Sequence, residues 1–317
     1  MNKECIWITG AHGFIGKHLA LMLARSGHTV AGLGHGNWPE LEYFKWGMTH
    51  WLNGDINFSN LRKLELACGT PDVIYHLAGG SSVGVAIANP REDFFRTVVT
   101  TAELLEWLRV DAPKARLVSV SSAAVYGSGH DGRISEDAKL TPYSPYGHHK
   151  RIMEELCRSY AASYGLRVSI ARLFSVFGAE LKKQLLWDLC TRLAAEKRPL
   201  ILGGSGNELR DWTDVRDVVR ALELLATQAS VDVAVFNVGT GVASSVRDIA
   251  NRIAGYWPLP ETADAFHFSG QLRRGDPFSL VADATRLGKL KFSWKISVDD
   301  GLADYVRWFQ GRSEFSA

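Results

Sequence analysis

The chain has 317 residues, 46% of them hydrophobic and 22% charged, enough to bury a large core in one domain or two interleaved ones. Its 36 basic and 34 acidic residues leave a formal charge of +2 with no basic run, which argues against nucleic acid as a partner. No run of 18 apolar residues offers a membrane span, nothing after Met1 reads as a secretory leader, and four scattered cysteines imply neither disulfides nor zinc, so the cytosol is the expected setting.

Strand-like and helix-like segments alternate, the pattern of a parallel sheet covered by helices on both faces. Cys5 to Thr9 reads as a buried strand, Phe14 to Ser26 as a helix stopped by Gly27, and His28 to Leu33 as the next strand. Val73 to Leu77, Arg116 to Ser121, Leu166 to Arg172 and Val233 to Val238 continue the strand series. Helices fit residues 90 to 110, 145 to 164, 182 to 195, 214 to 228 and 244 to 254. Beyond about residue 257 the alternation fades into loops, a short strand near Leu280 to Ala282 and a last amphipathic helix around Leu302 to Phe309. No repeat or linker interrupts the chain, so a second domain would be built from segments interleaved with the first. The expected division is a sheet domain of residues 1–178 and 203–245, with a smaller domain of 179–202 and 246–317.

Gly10-Ala11-His12-Gly13-Phe14-Ile15-Gly16 follows the first strand and opens a helix. Glycines there let the backbone turn tightly and approach a pyrophosphate, while the helix start supplies free amides and a positive dipole end. An acidic residue commonly ends the second strand of such a sheet and takes the ribose hydroxyls. Here Gly34 stands in that place, a tilt toward NADP(H) over NAD(H), with His35 or Lys45 as partners for a 2′-phosphate. Asp55, followed by Ile56, offers a carboxylate to the adenine amino group, and His76-Leu77-Ala78-Gly79-Gly80 ends a strand in small residues that let backbone lie against a dinucleotide.

Tyr146 and Lys150 would sit one turn apart on the helix of residues 145 to 164, with Ser122 upstream at the end of a strand. Taking a phenol from about 10 to about 7 needs roughly 4 kcal/mol of preferential stabilisation, which a neighbouring cation can supply. The product is a general acid/base poised near working pH. The same spacing, alone, also describes a surface tyrosine beside a solvated lysine. His148 and His149, lying between the two, would point away from their face of the helix.

Together the Gly10/Gly13/Gly16 turn, Asp55-Ile56, His76-Leu77-Ala78-Gly79, Ser121-Ser122-Ala123-Ala124-Val125-Tyr126-Gly127 and Tyr146-x-x-x-Lys150 resemble the extended short-chain dehydrogenase/reductases. Within them the chain is similar to the NAD(P)-dependent nucleotide-sugar epimerase/dehydratase family, and Arg172 to Gly178, Gly203 to Asp211, Phe236 to Gly241 and Arg273 to Pro277 extend the likeness in order. The resemblance implies that Tyr146 is the catalytic acid/base, that Lys150 lowers its pKa and binds the nicotinamide ribose, and that Ser122 hydrogen-bonds the reacting sugar oxygen. It also implies that Arg210 and Arg273 clamp the substrate diphosphate, a task suited to the planar guanidinium fork. A homodimer through the helices at 90–110 and 145–164 is expected on the same ground.

Departures narrow the chemistry. Ala123-Ala124 stands where dehydratases carry an acid pair, so sugar dehydration is not expected, and Thr97 and Ser175 replace asparagines of the family pattern. The fold expected is a doubly wound parallel sheet (Rossmann) with a smaller interleaved C-terminal substrate domain. The function expected is hydride transfer at C4 of a nucleotide-diphosphate sugar, leaning to a 4-ketoreductase, with an NAD-dependent 4-epimerase as the alternative. A non-catalytic dinucleotide-binding regulator is the reading from another class, disfavoured because Ser122, Tyr146 and Lys150 are all present.

Overall fold

The computed structural model describes residues 3–195, 200–257, 266–271 and 277–312. Contacts divide the chain into two compact units, the first formed by Met1–Gly127, Glu136–Leu173 and Val219–Val238, the second by Ser128–Ser135, Phe174–Val218 and Gly239–Ala317. The expected division gave residues 203–245 to the sheet domain, whereas only Val219–Val238 of that stretch clusters with it.

In the first unit seven strands form one parallel sheet: β1 (Cys5–Thr9), β2 (Thr29–Gly34), β3 (His50–Asn53), β4 (Val73–His76), β5 (Arg116–Ser122), β6 (Arg167–Leu173) and β7 (Ala234–Val238). Their order across the sheet is β7-β6-β5-β4-β1-β2-β3, so the strand order reverses beside β1, the switch point at which such sheets bind ligands beyond their carboxyl ends. Nearly continuous apolar runs such as Val73–His76, buried at every position, are what strands covered on both faces require. Trp7 of β1 stacks on Trp107 with ring centroids 5.0 Å apart in the core.

Helix α1 (Phe14–Arg25) starts at Gly13, and the connections β2–β3 and β3–β4 carry α2 (Glu40–Lys45) and α3 (Phe58–Cys68). The segment expected as one helix over 90–110 is instead three pieces. After α4 (Val83–Ala88) come α5 (Pro90–Phe94), a π-helical turn Phe95–Val99, and α6 (Thr100–Asp111). Thr100 and Thr101 donate their hydroxyls to the carbonyls of Arg96 and Thr97, both at 2.6 Å, a back-bonding that bends helices. Helix α7 (Pro145–Tyr164) matches its expected span because its ends are written locally. Ser144 caps it by accepting from the Gly147 amide, Pro145 takes the first position, and Gly165 ends it in the left-handed region at φ 72°. Its buried residues Gly147, Lys150, Met153, Glu154, Cys157 and Ala161 trace one face.

In the second unit, strands Arg133–Ile134, Ser175–Phe177, Leu209–Asp214, Ala243–Ser245 and Ser279–Ala282 form a small mixed sheet. Its anchor is buried Asp211, whose carboxylate accepts from the amides of Thr240, Gly241 and Ala282 and from the Thr240 hydroxyl. Helices Gln184–Ala194, Val246–Ala254 and Val298–Gln310 belong to this unit, the second begun by a Ser245/Asp248 capping box.

Candidate active site

The turn between β1 and α1 is shaped for a dinucleotide. Gly10 has φ +74°, and a side chain there would bring Cβ to 2.9 Å from the Ala78 nitrogen, so only glycine lets the two strand ends lie together. Gly13 caps α1 without a side-chain hydrogen bond, which leaves the first-turn amides of Phe14, Ile15 and Gly16 directed outward with the positive end of the dipole. These features fit a pyrophosphate.

A buried chain of hydrogen bonds supports the floor beside that turn. Thr9 Oγ1 lies 2.7 Å from His76 Nδ1, His76 Nε2 lies 3.0 Å from Thr101 Oγ1, and Thr97 Oγ1 accepts from the Gly80 amide at 2.8 Å. Full burial pushes His76 down to about 3, with the Lys150 ammonium acting in the same direction, so the imidazole is neutral at working pH. Thr97 therefore holds the Leu77-Ala78-Gly79 backbone through Gly80, a role for which a hydroxyl suffices.

At the ribose end of the turn the expected phosphate ligands are not arranged as such. His35 Nε2 lies 3.0 Å from the Asp55 carboxylate, and both side chains are exposed. A carboxylate there repels a 2′-phosphate, and Lys45 is exposed at the end of α2. Asn53 instead accepts from the Gly36 amide, while His12, half-buried, packs against Trp38 with centroids 5.0 Å apart. Ile56 is buried in the core.

The residues expected to carry the chemistry meet where β5 ends against the start of α7. Ser122 closes β5 and caps a short 3-10 turn, Ala123–Val125, by accepting from the Ala124 amide. Gly147 makes the approach possible: a Cβ there would stand 2.5 Å from the Ala124 carbonyl oxygen. With α7 pressed on that turn, the Ser122 hydroxyl comes beside the Tyr146 phenol and acts to lower it. Burial raises Tyr146 above the usual phenol value, the Ser122 hydroxyl opposes that shift, and the Asp93 carboxylate adds to it.

Lys150 departs from the expected geometry. Its Nζ is buried and donates to the Val120 carbonyl at 2.9 Å, and it stands 6.0 Å from the Tyr146 ring centroid. The lysine is held by β5 and does not touch the phenol, so in the chain by itself it does not bring Tyr146 down. Burial lowers Lys150 to about 8, against the opposing pull of Asp93 and Glu154. A Cβ on Gly79 would sit 3.2 Å from this Nζ, so the ammonium lies on the side of β5 where the dinucleotide-shaped backbone ends.

Reading the sequence missed Asp93 and took His149 only as pointing away from the Tyr146 and Lys150 face. Asp93, 4% exposed on α5, lies 2.5 Å from Nδ1 of His149, which faces α5 rather than solvent. Behind them Glu154 receives a bidentate pair from Arg172 at 2.9 and 2.7 Å and a hydrogen bond from Ser121 at 2.6 Å. That buried pair ties β5 and β6 to α7 one turn beyond Lys150.

In the second unit Arg210 directs its guanidinium to the carbonyls of Leu209 and Phe278, and Asp211 is taken up by backbone amides instead of by Arg210. Arg273 lies outside the described residues. Ser175 begins a strand paired in register with Trp212.

A seven-stranded parallel sheet with a glycine turn after β1, and a serine, tyrosine and lysine gathered at the end of β5, defines an enzyme of the extended short-chain dehydrogenase/reductase kind. The chain belongs to the NAD dependent epimerase/dehydratase family, whose model matches residues 6–239. It is 30% identical over 97% of its length to a UDP-glucose 4-epimerase of Mycolicibacterium smegmatis, covering 99% of that protein. Among solved structures it is similar to MoeE5 in complex with UDP-glucuronic acid and NAD, with a TM-score of 0.83 and 32% identity over 96% of this chain and 98% of that one. A UDP-glucuronic acid 4-epimerase from Bacillus cereus, in complex with UDP-glucuronic acid and NAD, matches with a TM-score of 0.83 and 27% identity over 96% and 99% of the two chains.

Proposed function

We propose that the protein is an NAD-dependent 4-epimerase of a UDP-sugar. The observation that carries the reading is the gathering of Ser122, Tyr146 and buried Lys150 where β5 meets α7, with Ala123 and Ala124 following the serine where a dehydratase needs carboxyls. The lean to a 4-ketoreductase finds no support, since the Mycolicibacterium smegmatis and Bacillus cereus proteins that the chain is similar to are named 4-epimerases. The tilt to NADP(H) is likewise unsupported. Losing a carboxylate at Gly34 removes one repulsion, yet the Asp55 carboxylate beside His35 restores another, and the similar solved structures hold NAD.

NAD, when bound, would accept a hydride from the sugar C4 and return it to the other face of the ring. The chain's residues do the rest. Gly10, Gly13, Phe14, Ile15 and Gly16 offer backbone to the pyrophosphate, Asp55 and His35 line the adenosine end, and Leu77, Ala78 and Gly79 lie under the dinucleotide. Tyr146 takes the C4 hydroxyl proton and gives it back, Ser122 holds the same oxygen, and Lys150 binds the ribose and supplies positive charge. Arg210 and Arg273 hold the diphosphate. Self-association through α5–α6 and α7 is part of the proposal, supported by exposed Phe95 on the π turn between α5 and α6 and by exposed Ile152 and Tyr164 on α7. Light scattering tests it, and a monomer at micromolar concentration refutes it.

The test of the activity is to offer UDP-glucose, UDP-galactose and UDP-glucuronic acid with NAD and follow the sugar by proton NMR. Interconversion of C4 epimers without net cofactor consumption supports the reading. Stoichiometric oxidation of NADPH on a keto sugar, with no epimerisation, refutes it.

A further inference from the structure

The turn that Ser122 caps is short, and its own bonds are local: the Ala124 amide donates to the Ser122 hydroxyl and the Tyr126 amide to the Ala123 carbonyl. A single 3-10 turn has poor hydrogen-bond geometry and holds itself weakly, so the place of the Ser122 hydroxyl depends on what fixes the residues on either side. Both of those residues are polar and buried. Ser121, before the turn, donates its hydroxyl to Glu154 Oε1 at 2.6 Å. Tyr126, after it, accepts from Arg172 Nη1 at 3.0 Å and donates to Asn237 Oδ1 at 2.6 Å.

One ion pair joins the two ends. Arg172 of β6 gives Nε and Nη2 to the Glu154 carboxylate of α7, which leaves Nη1 of the same guanidinium for the Tyr126 hydroxyl and the Glu136 carbonyl. The central carbon of that guanidinium stands 4.9 Å from the Tyr126 ring centroid, and the Asn237 amide donates to the Glu136 carboxylate at 2.9 Å, so β7 closes the circuit. Ser121 also lies between Val120, whose carbonyl takes the Lys150 ammonium, and Ser122.

We propose that Glu154 and Arg172 are positioning residues, a clasp that grips the Ser122 turn at both ends and sets where its hydroxyl meets the reacting sugar oxygen. The proposal rests on the reading that Ser122 holds that oxygen. Burying two charges is costly, and a well-packed apolar pair in the same space is often as stable, so the use of this pair lies in fixing one arrangement of β5, β6 and α7 around the turn. The neighbours match the task. A carboxylate accepts from a serine and a guanidinium together, and a guanidinium has donors left for a phenol once its carboxylate is bound.

The test uses Ser121→Ala and Tyr126→Phe, each of which releases one end of the turn and leaves the Glu154–Arg172 pair in place. Each should lower kcat for C4 epimerisation by about tenfold, while the KM of the UDP-sugar and the Kd of NAD move by less than about threefold. The double variant should fall well short of the roughly hundredfold loss of two independent sites, because freeing either end already frees the turn. Hydrogen–deuterium exchange read by mass spectrometry adds a measurement that needs no sugar: amides of residues 122–126 should exchange at least about threefold faster in both variants, with residues 10–16 unchanged. Unmoved exchange overturns the proposal. So does faster exchange with kcat within about twofold of wild type, or a double-variant loss equal to the product of the single ones. Should one variant fail to fold, the other alone decides by the same two readings. A wild type that does not epimerise sinks the epimerase reading alone, because the exchange measurement still decides the clasp.

Discussion

Replacing Lys150 with methionine should stabilise the fold while abolishing turnover. Methionine matches the lysine stem in length and flexibility, and it removes an ammonium that burial disfavours. The folded lysine titrates at about 8 against an ordinary 10.5, a difference of about 2.5 units, or roughly 3.4 kcal/mol at about 1.36 kcal/mol per unit. Losing the bond to the Val120 carbonyl returns about 1 kcal/mol of that, so the net gain at pH 7 is about 2 kcal/mol, a rise in Tm of a few degrees. The sign follows from proton counting. Between about 8 and 10.5 the unfolded wild-type chain binds more protons than the folded one, so wild-type stability climbs with pH across that window. The advantage of the variant is therefore full below pH 8 and gone above about 10.5. Urea unfolding of both proteins at pH 7, 9 and 10.5 measures this. A variant less stable than wild type at pH 7, or an advantage that ignores pH, refutes the reasoning.

Gly147→Ala should lower kcat by about 10- to 100-fold with the fold retained, since its Cβ must push α7 away from the Ala124 carbonyl and stretch the Ser122–Tyr146 contact; circular dichroism and steady-state kinetics separate the two effects. His76, held near 3 when folded, costs wild-type stability as pH falls from about 6.5 toward 3, because only the unfolded chain takes up the proton. His76→Gln lacks that loss, so its deficit at pH 7 should narrow by about 3 kcal/mol at pH 4 in denaturant titrations. Glu154→Gln leaves the Arg172 guanidinium buried with its bidentate partner neutralised and should destabilise the protein by about 3–5 kcal/mol, read as a lower urea midpoint.

The parallel sheet was legible because buried strands write themselves as short apolar runs, and β1 and α7 fall on their expected spans. Helix α7 carries its own capping serine, proline and terminal glycine, so nothing distant was needed to bound it. The break of residues 90–110 into α5, a π turn and α6 was not legible, since the apolar spacing continues through it and the shift in hydrogen bonding comes from threonine hydroxyls and packing on α7. The short strands of the second unit, two or three residues each in several cases, are too brief to show a period.

At the site, Ser122, Tyr146 and the glycine turn were readable from residue type and order, whereas the direction of the Lys150 ammonium was not. Spacing on a helix places two side chains on one face, but the Val120 carbonyl on another element decides where the amine goes. The contact between Asp93 and His149 was invisible for a related reason. The two are 56 residues apart, and only the packing of α5 on α7 brings them within 2.5 Å.

The most direct test of the account is the NMR assay on wild type and Tyr146→Phe with a UDP-sugar and NAD. Wild type should carry either C4 epimer to the same equilibrium mixture with no lasting reduced cofactor, and Tyr146→Phe should be slower by about 10²- to 10⁴-fold while still binding NAD. Epimerisation at wild-type rate by Tyr146→Phe, or turnover that consumes NADPH in step with sugar, would contradict it.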